Sequence, residues 1–88
     1  MTLRLLIPGA RSLKDRRRPV RSIKDRLRSR YNLSVAEVDS QEFPQSAVLA
    51  VAGVSNDRAV VEGLLDQAAA WVRSSRQVDV TACEKEFL

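Results

Sequence analysis

Eighty-eight residues, 44% of them hydrophobic and 30% charged, make one domain with a single core, a composition that excludes a disordered tail, and the apolar runs are too short for a membrane span. Histidine is absent and Cys83 is the one cysteine, which removes the commonest general base, the commonest transition-metal ligand and any internal disulfide. The net charge of +4 conceals two regions of opposite sign: the first thirty positions hold eleven of the fifteen Lys and Arg residues against Asp15 and Asp25, net +9, while the rest is −5, so the basic end points to a polyanionic partner.

Thr2 to Ile7 carries Leu and Ile and stops at Pro8-Gly9, which predicts a first strand ending in a tight turn. The same residues reach that turn before a signal-peptide core can form, so a cytoplasmic protein is expected. Beyond the turn, Leu13, Val20, Ile23, Leu27 and Tyr31 fall in one narrow helical sector. Pro19 interrupts this first helix, so its regular part is expected to begin near Pro19, after a looser turn from Ser12 to Arg18, with Ser12 or Asp15 as cap. Its end is expected near Tyr31-Asn32, where Asn can take the left-handed conformation. Leu33 to Ser40 predicts a second strand, and Gln41 to Gln45, with Pro44, the turn after it. Ala47 to Val54 is apolar on both parities and predicts a central third strand covered on both faces. Ser55-Asn56-Asp57 offers three caps for a second helix bearing Val60, Val61, Leu64, Leu65, Ala68, Trp71 and Val72, and Gln77 to Cys83 alternates as a fourth strand. The order βαββαβ predicts an α+β, ferredoxin-like sandwich over residues 1–88: an antiparallel four-stranded sheet with two helices on one face. Val20, Ile23, Leu27, Val61, Leu64, Ala68 and Trp71 are the expected filling between helices and sheet.

Several ordered segments carry a resemblance: Ile7-Pro8-Gly9-Ala10-Arg11-Ser12-Leu13-Lys14-Asp15-Arg16-Arg17, Ser34-Val35-Ala36-Glu37-Val38-Asp39, Ala47-Val48-Leu49, Val54-Ser55-Asn56-Asp57 and Glu84-Lys85-Glu86-Phe87-Leu88. Together they resemble the YlxP-like family of small bacterial proteins, a domain of unknown function, over nearly the whole chain. The resemblance implies a ferredoxin-like fold, a cytoplasmic setting and a link to ribosome assembly or translation, because members are often encoded beside translation and ribosome-maturation factors. It implies no catalytic residue. Two places depart from the family pattern: Pro19 stands inside a helix, and Phe43-Pro44 replaces a leucine-tryptophan pair ahead of Gln45.

Lys14, Arg17, Arg21, Lys24 and Arg28 succeed one another at three, four, three and four residues, a single stripe beside the apolar face of the first helix. Solvated surfaces interleave both signs, whereas only Asp25 interrupts here, so the stripe, with Arg11 and Arg18, is the expected nucleic-acid-binding surface. Arginine suits the task because its planar fork pairs with phosphate oxygens and keeps its charge. The Pro8-to-Ser12 loop is a weaker candidate for binding an anion through backbone N–H groups and Arg11. Arg11 with Asn32 or Asn56 is the one arrangement that would suit phosphate hydrolysis of the acylphosphatase kind, an analogy of fold alone, since the glycine-rich phosphate loop is missing. Glu37, Asp39 and Glu42 are too few oxygen ligands for a hard cation, so no metal and no cofactor are expected. Cys83 reads as a small strand residue because a catalytic thiolate needs a base, and Trp71 reads as core. The first and third strands lack aromatic residues, which rules out base stacking on the sheet.

These readings converge on a non-enzymatic, RNA- or ribosome-associated accessory protein that grips a phosphate backbone. The alternative is a protein-interaction or homodimerisation module docking through a helix-free sheet face made by Val48, Ala50, Ala52 and Val54. An acylphosphatase-like hydrolase stands third.

Overall fold

Pleated alternation in the strands and a 3.6-residue period in the helices place the main hydrophobic cluster on one side of a sheet. The computed structural model describes residues 1–39 and 43–88. Its elements are β1 (Thr2–Leu6), α1 (Leu13–Arg30), β2 (Ser34–Val38), β3 (Ser46–Ala52), α2 (Arg58–Ser74) and β4 (Asp79–Glu84). The strands pair antiparallel in the order β2-β3-β1-β4, which is the ferredoxin-like α+β arrangement.

Register explains the core. Leu3 and Leu5 of β1 stand opposite Leu49 and Ala47 of β3, and Val51 of β3 stands opposite Val35 of β2. These residues form one buried cluster with Val20, Ile23 and Leu27 of α1 and with Val61, Leu65, Ala68, Ala69 and Val72 of α2, so both helices cover the same face. Each fully buried leucine or isoleucine contributes about 1.5–3 kcal/mol by leaving water. The opposite parity, with Arg4, Val48, Ala50 and Ala52, carries no helix. Val48 is nevertheless buried, beside its register partners Arg4 and Val38, while Ala50 is half-buried and Ala52 exposed. The expectation that β3 runs to Val54 is corrected: the strand stops at Ala52, and Val54 lies beyond the sheet, 97% exposed, outside the row it was assigned to.

Trp71 and Leu64 also depart from expectation, being only half-buried at the margin of the core. On the α2 wheel the buried residues centre on Val61, Leu65 and Val72, which turns Leu64 and Trp71 to the flank. The guanidinium of Arg30 lies 5.5 Å from the Trp71 ring.

Helix α1 begins at Leu13 and runs unbroken through Pro19. A proline there removes one intrahelical donor and crowds the carbonyl four residues earlier, a cost of about 3 kcal/mol. Contacts upstream hold the first turns in place. Ser12 caps the helix by accepting from the Asp15 N–H at 3.1 Å, and the Asp15 carboxylate accepts from the Arg11 N–H at 3.1 Å. Arg16 then ties the second turn to the sheet, as described below. At the far end Tyr31 is extended and its N–H closes on the Leu27 carbonyl. The left-handed Asn32 is therefore not formed; Tyr31 anchors the exit instead, its hydroxyl donating to the Gln67 carbonyl at 3.4 Å.

Asp57 alone of the three candidate caps serves α2, accepting from the Ala59 N–H at 3.0 Å. Between β1 and β4 the register shifts at Arg4/Leu5, so that Thr81 is the extra residue of a bulge, and its hydroxyl donates to the Arg4 carbonyl at 3.2 Å. Strand β2 ends at Val38, and Asp39 takes a positive φ of 59°. Ser40, the end of the strand as expected from sequence, lies outside the described residues, as do Gln41 of the expected turn and Glu42. Among the described residues no helix is long and apolar enough to cross a membrane.

Candidate nucleic-acid interface

The continuity of α1 decides the geometry of the basic stripe. Because the helix starts at Leu13, Lys14 belongs to the same regular face as Arg17, Arg21, Lys24 and Arg28, and the stripe reaches about 21 Å at ~1.5 Å per residue. Lys14, Arg17, Arg18, Arg21 and Arg28 are exposed and Lys24 is half-buried. Arg11, in the loop ahead of the helix, is exposed as well.

The basic side chains divide by what they touch. Arg30 lies over Trp71, and Arg58 lies over Phe87 with its guanidinium 4.3 Å from the ring. Lys85 bonds Asp66 at 2.5 Å and approaches Glu62 at 3.7 Å. Its ammonium is held above its ordinary pKa of 10.5, first by the hydrogen bond to Asp66, which desolvation opposes, and then by the charges of Asp66 and Glu62. Within the stripe, Arg28 donates to the carbonyl of Val35 on the edge strand β2. Among the described residues, the side chains of Lys14, Arg17, Arg18, Arg21 and Lys24 enter no hydrogen bond or ion pair.

Arg16 is the residue that sequence reasoning missed. It shares a helical face with Val20, Ile23 and Leu27, so it stands where a core residue belongs, and its side chain is only 12% exposed. The guanidinium donates to the Ser46 carbonyl at 3.0 Å and the Phe43 carbonyl at 3.4 Å and approaches Glu37 at 3.5 Å. The spacing of Arg16 before Val20 and Ile23 was the available signal: a charge four and seven residues ahead of core positions reaches the sheet rim by laying its stem along apolar surface.

The weaker constellations are not assembled. In the Pro8-to-Ser12 loop the Ala10 N–H donates to the Ile7 carbonyl, and the Arg11 N–H is taken by Asp15, which already places a carboxylate at the helix N-terminus where an outside anion would sit. Arg11 follows the end of β1 that pairs with Ser46, whereas Asn32 precedes Ser34 and Asn56 follows Ala52, which pair with each other at the opposite end of the sheet. The hydrolase arrangement of Arg11 with Asn32 or Asn56 is thereby corrected: the fold separates its members. Glu37 is committed to Arg16, Glu42 lies outside the described residues, and among the described residues no three acidic or sulfur groups are placed to hold a metal ion. Cys83 is half-buried on β4 opposite Leu3.

Two comparisons give what the chain as a whole is similar to. The family described as "Protein of unknown function (DUF503)" matches the chain over residues 1–85. An uncharacterised protein of Bacillus subtilis (strain 168), YlxP, is 28% identical over 82 residues, covering 93% of this chain and 89% of that protein.

Proposed function

We propose that this chain, which belongs to the DUF503 family of proteins of unknown function, is a non-enzymatic RNA- or ribosome-associated accessory protein of the cytoplasm that grips a phosphate backbone with the outer flank of α1. The observation that carries this reading is the row Lys14, Arg17, Arg21 and Lys24, with Arg18 beside it, on a helix where Arg16, Arg28 and Arg30 are bound within the fold and Arg26 stands exposed on a different face. Four like charges in one row repel one another, and a polyanion relieves that repulsion while releasing its own counterions. Nothing in such a grip reads base edges, so the recognition is of backbone and shape.

The test is the salt dependence of binding to a structured RNA. Affinity falls steeply as salt rises, and Arg17→Gln with Arg21→Gln weakens binding to unrelated sequences and flattens the slope by about one unit per lost contact. A folded double variant with unchanged affinity and slope would remove the reading.

A second reading has its own observation. The helix-free face presents Ala36, Val38, Val48, Ala50 and Ala52 as a low apolar surface on which a partner or a second copy could dock, with Arg4 in its midst. Sedimentation of the free protein at micromolar concentration, with Val48→Asp as control, tests it: a dimer lost on substitution supports it, and a monomer in both removes self-association.

A further inference from the structure

Four aromatic side chains occur in the chain, Tyr31, Phe43, Trp71 and Phe87. Three of them serve the fold. Tyr31 packs on the core and bonds Gln67, Trp71 packs on the core under Arg30, and Phe87 packs on the core under Arg58. Phe43 is 69% exposed. Its backbone is nevertheless fixed: the Phe43 carbonyl accepts from the Ser46 N–H at 3.2 Å and from Arg16 at 3.4 Å, so the ring projects from a pinned main chain. It borders a groove of about 490 Å3 with Leu6, Ala10, Arg11, Pro44 and Ser46. The groove lies at the N-terminal side of α1: Arg11, just ahead of the helix, lines it, and Arg16 in the helix bonds the Phe43 carbonyl.

We propose that Phe43 is a stacking platform for an unpaired nucleobase, with Arg11 on the adjoining phosphate. This rests on the RNA-gripping reading above and gives it a ligand class: RNA with an exposed base beside a backbone held by α1. An aromatic face accepts any base, whereas a base inside a duplex is already stacked on both sides and offers no face. Arg11 beside the ring favours a ligand that carries phosphate next to a flat face, and substitution of the ring tests the stacking half of that pair.

The probes are an RNA hairpin with an unpaired loop and a fully paired duplex of equal length. Phe43→Ala weakens hairpin binding by about 5- to 150-fold, the range of a lost base–aromatic stack, with duplex affinity and both salt slopes unchanged because no charge is removed. Phe43→Trp retains hairpin affinity, and its added fluorescence is quenched by the hairpin and not by the duplex. Two results would overturn the proposal: a Phe43→Ala protein that binds the hairpin like the parent, or a Phe43→Leu protein that binds it as well as Phe43→Trp does, which would make the contact merely apolar. Either can occur while the Arg17→Gln, Arg21→Gln variant still shows its reduced slope, and then the stacking platform fails and the phosphate grip stands. Absence of salt-dependent binding to both probes by the parent protein overturns both.

Discussion

Arg16 donates to the carbonyl of Ser46 at 3.0 Å, which places a permanent charge on the core face of α1 and fastens the first turns of the helix to the rim of β3. Removing it takes the donor from the Ser46 carbonyl and the ion partner from Glu37, while the Phe43 carbonyl keeps the Ser46 N–H. Arg16→Ala should therefore cost about 1.5–3 kcal/mol in urea denaturation, the range for hydrogen bonds to a charged group. Arg16→Met restores the packing of the stem but not the donors, and should recover only part of the loss.

Leu27 and Trp71 rank in the opposite order to their sizes. Leu27 is fully buried, so Leu27→Ala should cost about 2–5 kcal/mol. Trp71 is half-buried and keeps one side toward Arg30, so Trp71→Ala should cost less than Leu27→Ala when both are measured by chemical denaturation.

Arg28 lies in the basic stripe yet is engaged with Val35, so its donors are divided between the fold and any phosphate. Arg28→Gln should flatten the salt slope of RNA binding less than Arg21→Gln does, while lowering stability by about 1 kcal/mol through the lost charge-assisted bond. Paired salt titrations and urea melts of the two variants check both halves.

Lys85 provides a pH dependence of definite sign. Its pKa is raised above the ordinary 10.5 by Asp66 and Glu62, so the attachment of the last residues to α2 is fully present below 10.5 and is lost as pH rises through the raised value. An NMR titration of the Lys85 side chain should show a midpoint above 10.5, returning toward it in Asp66→Asn. The pair is exposed, so global stability should scarcely respond.

The elements themselves were legible because two periods and their caps agreed. Ser12 and Asp57 mark both helix starts, and Leu3, Leu5, Leu49 and Val51 alternate on the core side as strands require. The uncertain start of α1 came from Pro19, whose effect is local, while the forces that override it, Arg16 on the sheet and Asp15 at the loop, are visible only once the chain is folded. The end of β3 ran long in the sequence reading because apolar character continues to Val54 whereas pairing stops at Ala52, opposite Ser34 at the start of β2. The exposed flank of α1 was legible from spacing. That Arg28 and Arg16 are bound within the fold was not, since a charge sequence does not say which carbonyl lies within reach.

Open sheets end in two strands with unpaired backbone groups, and such rims invite neighbouring molecules to add strands. Here one rim, β2, has Arg28 on its Val35 carbonyl, and the other, β4, carries the bulge at Thr81 that breaks a flat edge. Copies crowded side by side along one polyanion would meet at high local concentration, the condition under which bare rims polymerise. The Arg28 clasp and the Thr81 bulge blunt both rims, so copies brought together in that way would not fuse their sheets into a fibre.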